Sequence, residues 1–519
     1  MRPARVSAVA LIALLAAYCA PRTPPVVVPS ADPALAPFIT AVQIYVQATE
    51  PYRKQAAQAA EQVPGRARPE AGAAAAVRTQ QNVLANALRT RLRPAAKPGD
   101  VFGMASAEIR RRVQAAFAGP RRDLLHDGLA EQNEGGKAAP QPLAVNQETT
   151  APRVPPLLLD VLPPLPTPLE YAVAGRTLVL KDADAQVVVD LLPDTLPEVP
   201  PEGVPTAAPA PLPGAASVLA LPRLHGATVF AAMGDSGSGD EPQREVAEAL
   251  LTYFRTARRF PFVLLLGDNL YDDDYEGEFL RPYKPLIDAG VKFYAALGNH
   301  DRDPEIHFKP FNMGDHGRYS FDEGNARFAV LNSNRPSDPE QARWLDGVWT
   351  DAGDKWRIAF FHHPLYSSGR HADESRVVIR PALEPLLLRN HVDVVFSGHE
   401  HLYERIAPQK GIRYFVSGGG GRNLYHVRPS DFDEVAASEH HFMVVEIGGD
   451  RLFFEAITPA MKLLDCGLIW RRASLAKPDR DTEAWTASCE SVRPRTTTER
   501  RDGEPRFENQ PDRRRSMQR

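Results

Sequence analysis

Cysteine is scarce in this chain, with three among 519 residues. Cys19 stands at the end of an N-terminal apolar segment, so a disulfide framework is excluded and one pair, Cys466 and Cys489, is left. In an exported chain that pair predicts a disulfide, two buried free thiols being the alternative. An excess of charge of one sign is also missing. The 61 Lys and Arg nearly balance the 65 Asp and Glu, and a net charge of −4 gives no argument for nucleic acid as a partner. The N-terminal apolar stretch, Val6 to Ala17, is too short to span a bilayer comfortably as a mature helix.

Proline, by contrast, is abundant: the 49 prolines are too many for one compact domain and concentrate before residue 225, which points to linkers there. Arg2, Arg5 and the apolar run read residues 1–19 as an export signal, so the protein is expected to be periplasmic, at the cell surface or secreted. Leu15-Ala16-Ala17-Tyr18-Cys19 resembles a bacterial lipoprotein cleavage site, although Tyr18 stands where a small residue is usual. Membrane attachment through lipidated Cys19 and simple cleavage both stay open. Residues 20–37 read as a tether, 38–192 as a small accessory region of helices and strands, and 193–224 as a Pro-rich linker. Within the accessory region helices are expected from Phe38 to a break or kink at Pro51, over Ala74–Leu92 and around Ala107–Phe117. Gly119–Pro168 is a poor candidate for regular structure, and Tyr171–Leu192 a small sheet. Residues 225–475 are read as the catalytic domain. The tail 476–519, with nine Arg against five acids beyond Ser491, is expected to be solvated and disordered.

Five short clusters of metal-binding residue types organise the stretch from Ala227 to Arg405: Gly234-Asp235-Ser236-Gly237, Gly267-Asp268-Asn269-Leu270-Tyr271, Gly298-Asn299-His300-Asp301, His362-His363-Pro364 and Gly398-His399-Glu400-His401. Singly each is weak, since a Gly-Asp after a strand is more often a turn than a ligand. Their order is informative. Each follows an apolar run of strand length (227–233, 262–266, 291–297, 358–361, 392–396), with helical stretches such as Glu241–Arg258 between them. That alternation predicts a parallel α/β sheet, in which ligands bind beyond the carboxyl ends of the strands, so the five loops converge on one site. Asp272-Asp273-Asp274 reads as a solvated loop. Gly418-Gly419-Gly420-Gly421 lacks the Lys-Ser or Lys-Thr of a phosphate loop and reads as close backbone approach to the site.

In content and order the clusters resemble those of the calcineurin-like metallophosphoesterases, and Asp-x-Gly followed by Gly-Asp-x-x-Tyr resembles the purple acid phosphatase branch. The resemblance covers roughly Thr228 to Thr458. It implies an α/β fold, a metallophosphoesterase-type β-sandwich flanked by helices, carrying two metal ions. Asp268 would be the shared carboxylate, with Asp235, Tyr271 and His401 completing the first ion's shell and Asn299, His362 and His399 the second's. The family's His-x-Pro spacing selects His362 over His363. Tyr271, where commoner metallophosphoesterases place a His at Gly237, implies Fe(III) as the first ion with Fe(II), Zn or Mn as the second, because a phenol becomes a ligand readily only for a strongly Lewis-acidic ion. His300 and His371 would face the substrate as hydrogen-bond or proton donors.

The implied activity is hydrolysis of phosphate monoesters by a metal-activated hydroxide at a dinuclear centre. A phosphodiesterase or nucleotide pyrophosphatase on the same metal core is the nearest alternative. A surface lipoprotein acting as a binding scaffold is the alternative from another class, and the complete ligand set argues against it. The oligomeric state is not legible.

Overall fold

A computed structural model describes residues 32–63, 69–132, 143–197, 218–219, 221–471 and 478–492. The export segment and Cys19 therefore lie outside the described residues. Among the described residues no helix is long and apolar enough to cross a membrane.

The N-terminal region contains helices α1 (Ala36–Glu61), α2 (Pro69–Ala87), α3 (Ser106–Phe117) and α4 (Arg122–Gln132), then strands β1 (Leu169–Ala174), β2 (Thr177–Asp182) and β3 (Val187–Leu192) in an antiparallel meander. Phe38, Val42 and Tyr45 of α1 share a core with Ile109, Val113, Leu125 and the sheet residues Leu169, Tyr171 and Leu180. That is the packing that the four-residue stripes predict.

The following strands are β4 (Thr228–Met233), β5 (Phe262–Leu265), β6 (Lys292–Ala295), β7 (Tyr319–Glu323), β8 (Ala326–Val330), β9 (Trp356–Phe360), β10 (Val394–Ser397), β11 (Tyr403–Gln409), β12 (Ile412–Ser417), β13 (Asp433–Ala437), β14 (Phe442–Gly448), β15 (Arg451–Ile457) and β16 (Leu463–Trp470). They form two sheets, ordered β16-β15-β14-β4-β5-β6 and β13-β11-β12-β10-β9-β8-β7. The single parallel sheet expected from the alternation is thus divided: β4, β5 and β6 run parallel in one sheet, and β8, β9, β10 and β12 in the other. Periodicity reports that a strand is buried on both faces but not which sheet it joins.

Phe230 and Phe262 from one sheet meet Phe328, Phe396 and Phe415 from the other between the layers. Phe230 packs edge-on against Phe328 and Phe396 with centroids 5.4 and 5.8 Å apart. On the opposite faces of β4, Val229, Ala231 and Met233 cover Val246, Leu250 and Tyr253 of α5 (Glu241–Thr256). The second sheet buries its outer face under α6 (Pro339–Val348) and α7 (Arg380–Arg389) through Leu345, Leu383 and Leu387. The result is a β-sandwich flanked by helices.

Three local expectations are corrected. Helix α1 does not end at Pro51 but runs on to Glu61, with Pro51 and Gln47, whose carbonyl loses its N–H partner, both exposed. Part of the stretch expected to be irregular folds as α4, held by buried Leu125 and Leu129, with Gly128 set where a Cβ would come within 2.9 Å of Pro155. Part of the tail expected to be disordered is α8 (Arg480–Val492), whose Trp485 packs edge-on against Phe453 and whose Cys489 is disulfide-bonded to Cys466 in β16. Trp485, Cys489 and Val492 of that helix share the core under the first sheet; charged residues between them dilute the stripe in the sequence.

The N-terminal region is built onto the sandwich. Ala73, Ala74 and Val77 of α2 belong to the same core as Leu250, Tyr275, Phe279 and Phe308. Arg153 pairs with Glu170 at 2.6 Å on its own side and with Asp303 across the boundary.

Candidate metal centre

The carboxyl ends of β4, β5, β6, β9 and β10 lie together, and the five clusters of Asp, Asn and His follow them. Asp235, Asp268, Asn299, His362, His399 and His401 are buried, and Tyr271 and His300 are half-buried at one side. Asp235, Asp268 and His399 adopt positive φ of 58°, 53° and 70°. This left-handed backbone costs roughly 1–3 kcal/mol for a residue other than glycine and persists where the surroundings hold it. The glycines make the crowding feasible. A Cβ on Gly298 would stand 2.0 Å from Asp268 Oδ1, and one on Gly267, at φ 96°, 2.5 Å from His362 Nδ1. Gly418 likewise passes Asp235 Oδ2 at 2.7 Å from its notional Cβ, the close approach predicted for the glycine run.

Asp301 closes its own loop and ties it to the loop of Asp268. Its carboxylate accepts from the Asn269 N–H (2.6 Å), Asn269 Nδ2 (2.6 Å), the Leu270 N–H (3.1 Å) and the Gly298 N–H (2.7 Å). Burial and the nearby Asp268 push its carboxyl up to about 7 despite those donors.

Tautomers fix which nitrogens face inward. The Nδ1 of His362 lies 3.0 Å from the Leu266 carbonyl and that of His401 2.7 Å from the Asn423 carbonyl, so each ring holds its proton there. Both Nε2 lone pairs then point into the cluster. His362 Nε2 stands 2.8 Å from Asn299 Oδ1 and 3.4 Å from Asp268 Oδ1. His401 Nε2 stands 3.4 Å from Asp235 Oδ1 and 3.5 Å from the Tyr271 hydroxyl. Asn299 Oδ1 is an acceptor because its Nδ2 donates to Glu131 Oε1 at 2.9 Å. Lone pairs therefore face lone pairs, and Asp235 Oδ1 and both nitrogens of His399 have no hydrogen-bond partner among the described residues. Two atoms bound at right angles to one ion at 2.0–2.2 Å lie about 3 Å apart, so the donor set fits cations. Asp235, Asp268 and His362 bring donor atoms within 4.8 Å of one another, and so do Glu131, His371, Glu374 and His399.

The electrostatics match. Burial holds His399 and His371 well below the usual imidazole range and takes His401 down to about 3, so their rings are neutral donors. Burial also drives Asp235 far up. At Asp268 burial is outweighed by His362 and His300 and by the His300 N–H bound to its Oδ1 at 3.0 Å, and the carboxyl lies below its ordinary value. Burial, reinforced by Asp268 and Asp235, pushes the Tyr271 phenol far up. The Arg422 guanidinium stacks over the same ring at 4.4 Å, and the His300 ring lies 4.7 Å away on it.

All nine expected site residues are thus in one region, His371 on the His399 side with ring centroids 4.6 Å apart. His363 packs beside them, hydrogen-bonded to Ser333 at 2.8 Å. Of Asp272-Asp273-Asp274, Asp273 pairs with Arg302, and Asp274 accepts the Gly277 N–H at 3.0 Å. Glu131, Glu374 and Arg422 were missed. Glu374 follows His371 by three residues, a helical spacing that could have flagged it; Glu131 carries no sequence signal beyond the Leu125–Leu129 stripe that positions its helix.

A two-sheet sandwich with such a cluster at its strand ends defines the metallophosphoesterase class. Residues 228–403 match the family model of the calcineurin-like phosphoesterases. Among curated proteins, purple acid phosphatase 21 of Arabidopsis thaliana is 30% identical over 230 residues, covering 37% of this chain and 49% of that protein. Tartrate-resistant acid phosphatase type 5 of Oryctolagus cuniculus is 25% identical over 250 residues, covering 39% and 76%. The chain spans about half the length of the first Arabidopsis relatives it matches, 49%, 44% and 46%. Among solved structures, a purple acid phosphatase from yellow lupin seeds aligns with a TM-score of 0.43 at 19% identity over 53% of this chain and 57% of that one.

Proposed function

We propose that the protein is an exported, metal-dependent phosphatase that hydrolyses phosphate monoesters at a dinuclear centre. The observation that carries this reading is the set of facing lone pairs at Asp235, Asn299, His362 and His401, buried at the ends of five strands in a calcineurin-like phosphoesterase domain. The names of the relatives, purple acid and tartrate-resistant acid phosphatases, support it.

Asp235, Asp268, Tyr271 and His401 would hold a first ion, Fe(III), and Asp268, Asn299, His362 and His399 a second, Fe(II), Zn or Mn. When bound, such a pair supplies an acidified water as nucleophile and positive charge for the phosphoryl oxygens. Asp268 would supply the carboxylate shared by the two positions. The carbonyls of Leu266 and Asn423 hold His362 and His401 in the tautomer that a ligand needs. His300, half-buried, would donate to a phosphate oxygen or to the leaving oxygen, and so would His371, whose ring lies 4.6 Å from that of His399.

The test is hydrolysis of an aryl phosphate monoester and the matching diester by the purified chain, before and after chelation. The reading expects chelator-sensitive turnover with the monoester faster. Faster diester turnover would move the assignment to a phosphodiesterase, and no hydrolysis of either ester by metal-loaded protein would reject catalysis.

A further inference from the structure

Glu131 reaches the centre from outside the phosphoesterase domain. It lies in the last turn of α4, whose Leu125 and Leu129 anchor the helix in the N-terminal core, and its side chain is 5% exposed. One carboxylate oxygen, Oε1, accepts from Asn299 Nδ2 at 2.9 Å and lies 3.5 Å from His399 Nδ1; the other, Oε2, lies 3.7 Å from His371 Nδ1. The His399 nitrogen facing it has no hydrogen-bond partner. The second nitrogen of that ring, Nε2, has Glu374 Oε2 at 3.4 Å. A carboxylate taken out of water beside a neutral imidazole costs several kcal/mol unless positive charge compensates it. A spacing of 3.5 Å between Oε1 and Nδ1 is too long for a hydrogen bond of good strength and close to the separation of two ligands on one ion.

We propose that Glu131 is a protein ligand of the second ion, contributed by the N-terminal region beside Asn299, His362, His399 and the shared Asp268. The inference rests on the dinuclear reading above. Its chemistry is specific: a second carboxylate on this ion adds one negative charge, tightens retention of a divalent cation and lowers its Lewis acidity. It also makes α4 part of the metal centre, so the N-terminal region closes the second ion's shell rather than serving as a spacer.

The test compares metal retention in the full chain and in Glu131→Gln, both loaded with Mn(II) and dialysed alike, by plasma mass spectrometry and by Mn(II) titration followed by electron paramagnetic resonance. Wild type should keep about two ions. Glu131→Gln should keep about one and bind the second at least 10–100-fold more weakly, the range that lost supporting groups already produce, with circular dichroism unchanged. Glu131→Asp keeps the charge but shortens the reach, so its affinity should fall between the two; it supplies the reading if the Gln variant fails to fold. Unchanged affinity for both ions in either folded variant overturns the inference, and a rise in turnover with unchanged metal content would identify Glu131 instead as a plug on the substrate side. Wild type that binds no ion under these conditions overturns the dinuclear reading itself, and this inference with it.

Discussion

At Tyr271 a phenol is buried beside two carboxylates, an environment that keeps it protonated unless a strongly Lewis-acidic cation is present. A ferric ion bound there gives a visible charge-transfer band. Tyr271→Phe should abolish the band with the fold intact; a variant that stays coloured shows that another residue binds the iron. Asp268→Asn should be more damaging, because a neutral amide cannot bridge two cations, and metal analysis should show loss of ions together with turnover. His300→Ala removes a group outside the ligand set, so metal content should persist while kcat falls by roughly 10²–10⁴; a fall in metal content instead would place His300 among the ligands. These residues were legible because each follows directly on an apolar strand, in an order that narrows the chemistry. Glu131 was not legible, because its place among Asn299, His371 and His399 is set by how two regions pack and not by spacing within either.

Among the elements, β15 carries a buried carboxyl with a consequence for pH. Glu455, on the strand that pairs with β14 and β16, accepts a hydrogen bond from Tyr253 of α5 at 2.9 Å, and burial pushes its carboxyl up to about 8. The folded chain therefore holds a proton that the unfolded chain releases near pH 4.5. The stability this group contributes is full below about pH 4.5 and is lost as pH rises through about 8. In Glu455→Gln the difference in Tm between pH 5 and pH 8 should shrink; an undiminished slope would show that Glu455 ionises freely in the fold. Strand and helix existence was readable from periodicity, as in the hairpin that pairs Ile447 with Leu452. What was not readable was the division of parallel strands between two sheets, since a strand buried on both faces looks the same in either. The continuation of α1 past Pro51 and the helix around Trp485 and Cys489 depended on solvent exposure and tertiary contact, which local propensity does not contain.

For the whole molecule, the sandwich core, α2 and α4 meet around the centre: α2 shares the core under β4, Arg153 pairs with Asp303 across the boundary, and Glu131 meets Asn299. Export predicts a mature N-terminus at or near Cys19, read by mass spectrometry, and an unprocessed Met1 on most molecules would contradict it. Two ions held by these loops would perform the chemistry. Metal stoichiometry of the full chain, measured alongside phosphate release before chelation, after it and after metal is returned, tests that claim most directly. The account predicts about two ions per chain, loss of turnover when they are removed and recovery when they are restored. Turnover that continues unchanged in metal-free protein would contradict it.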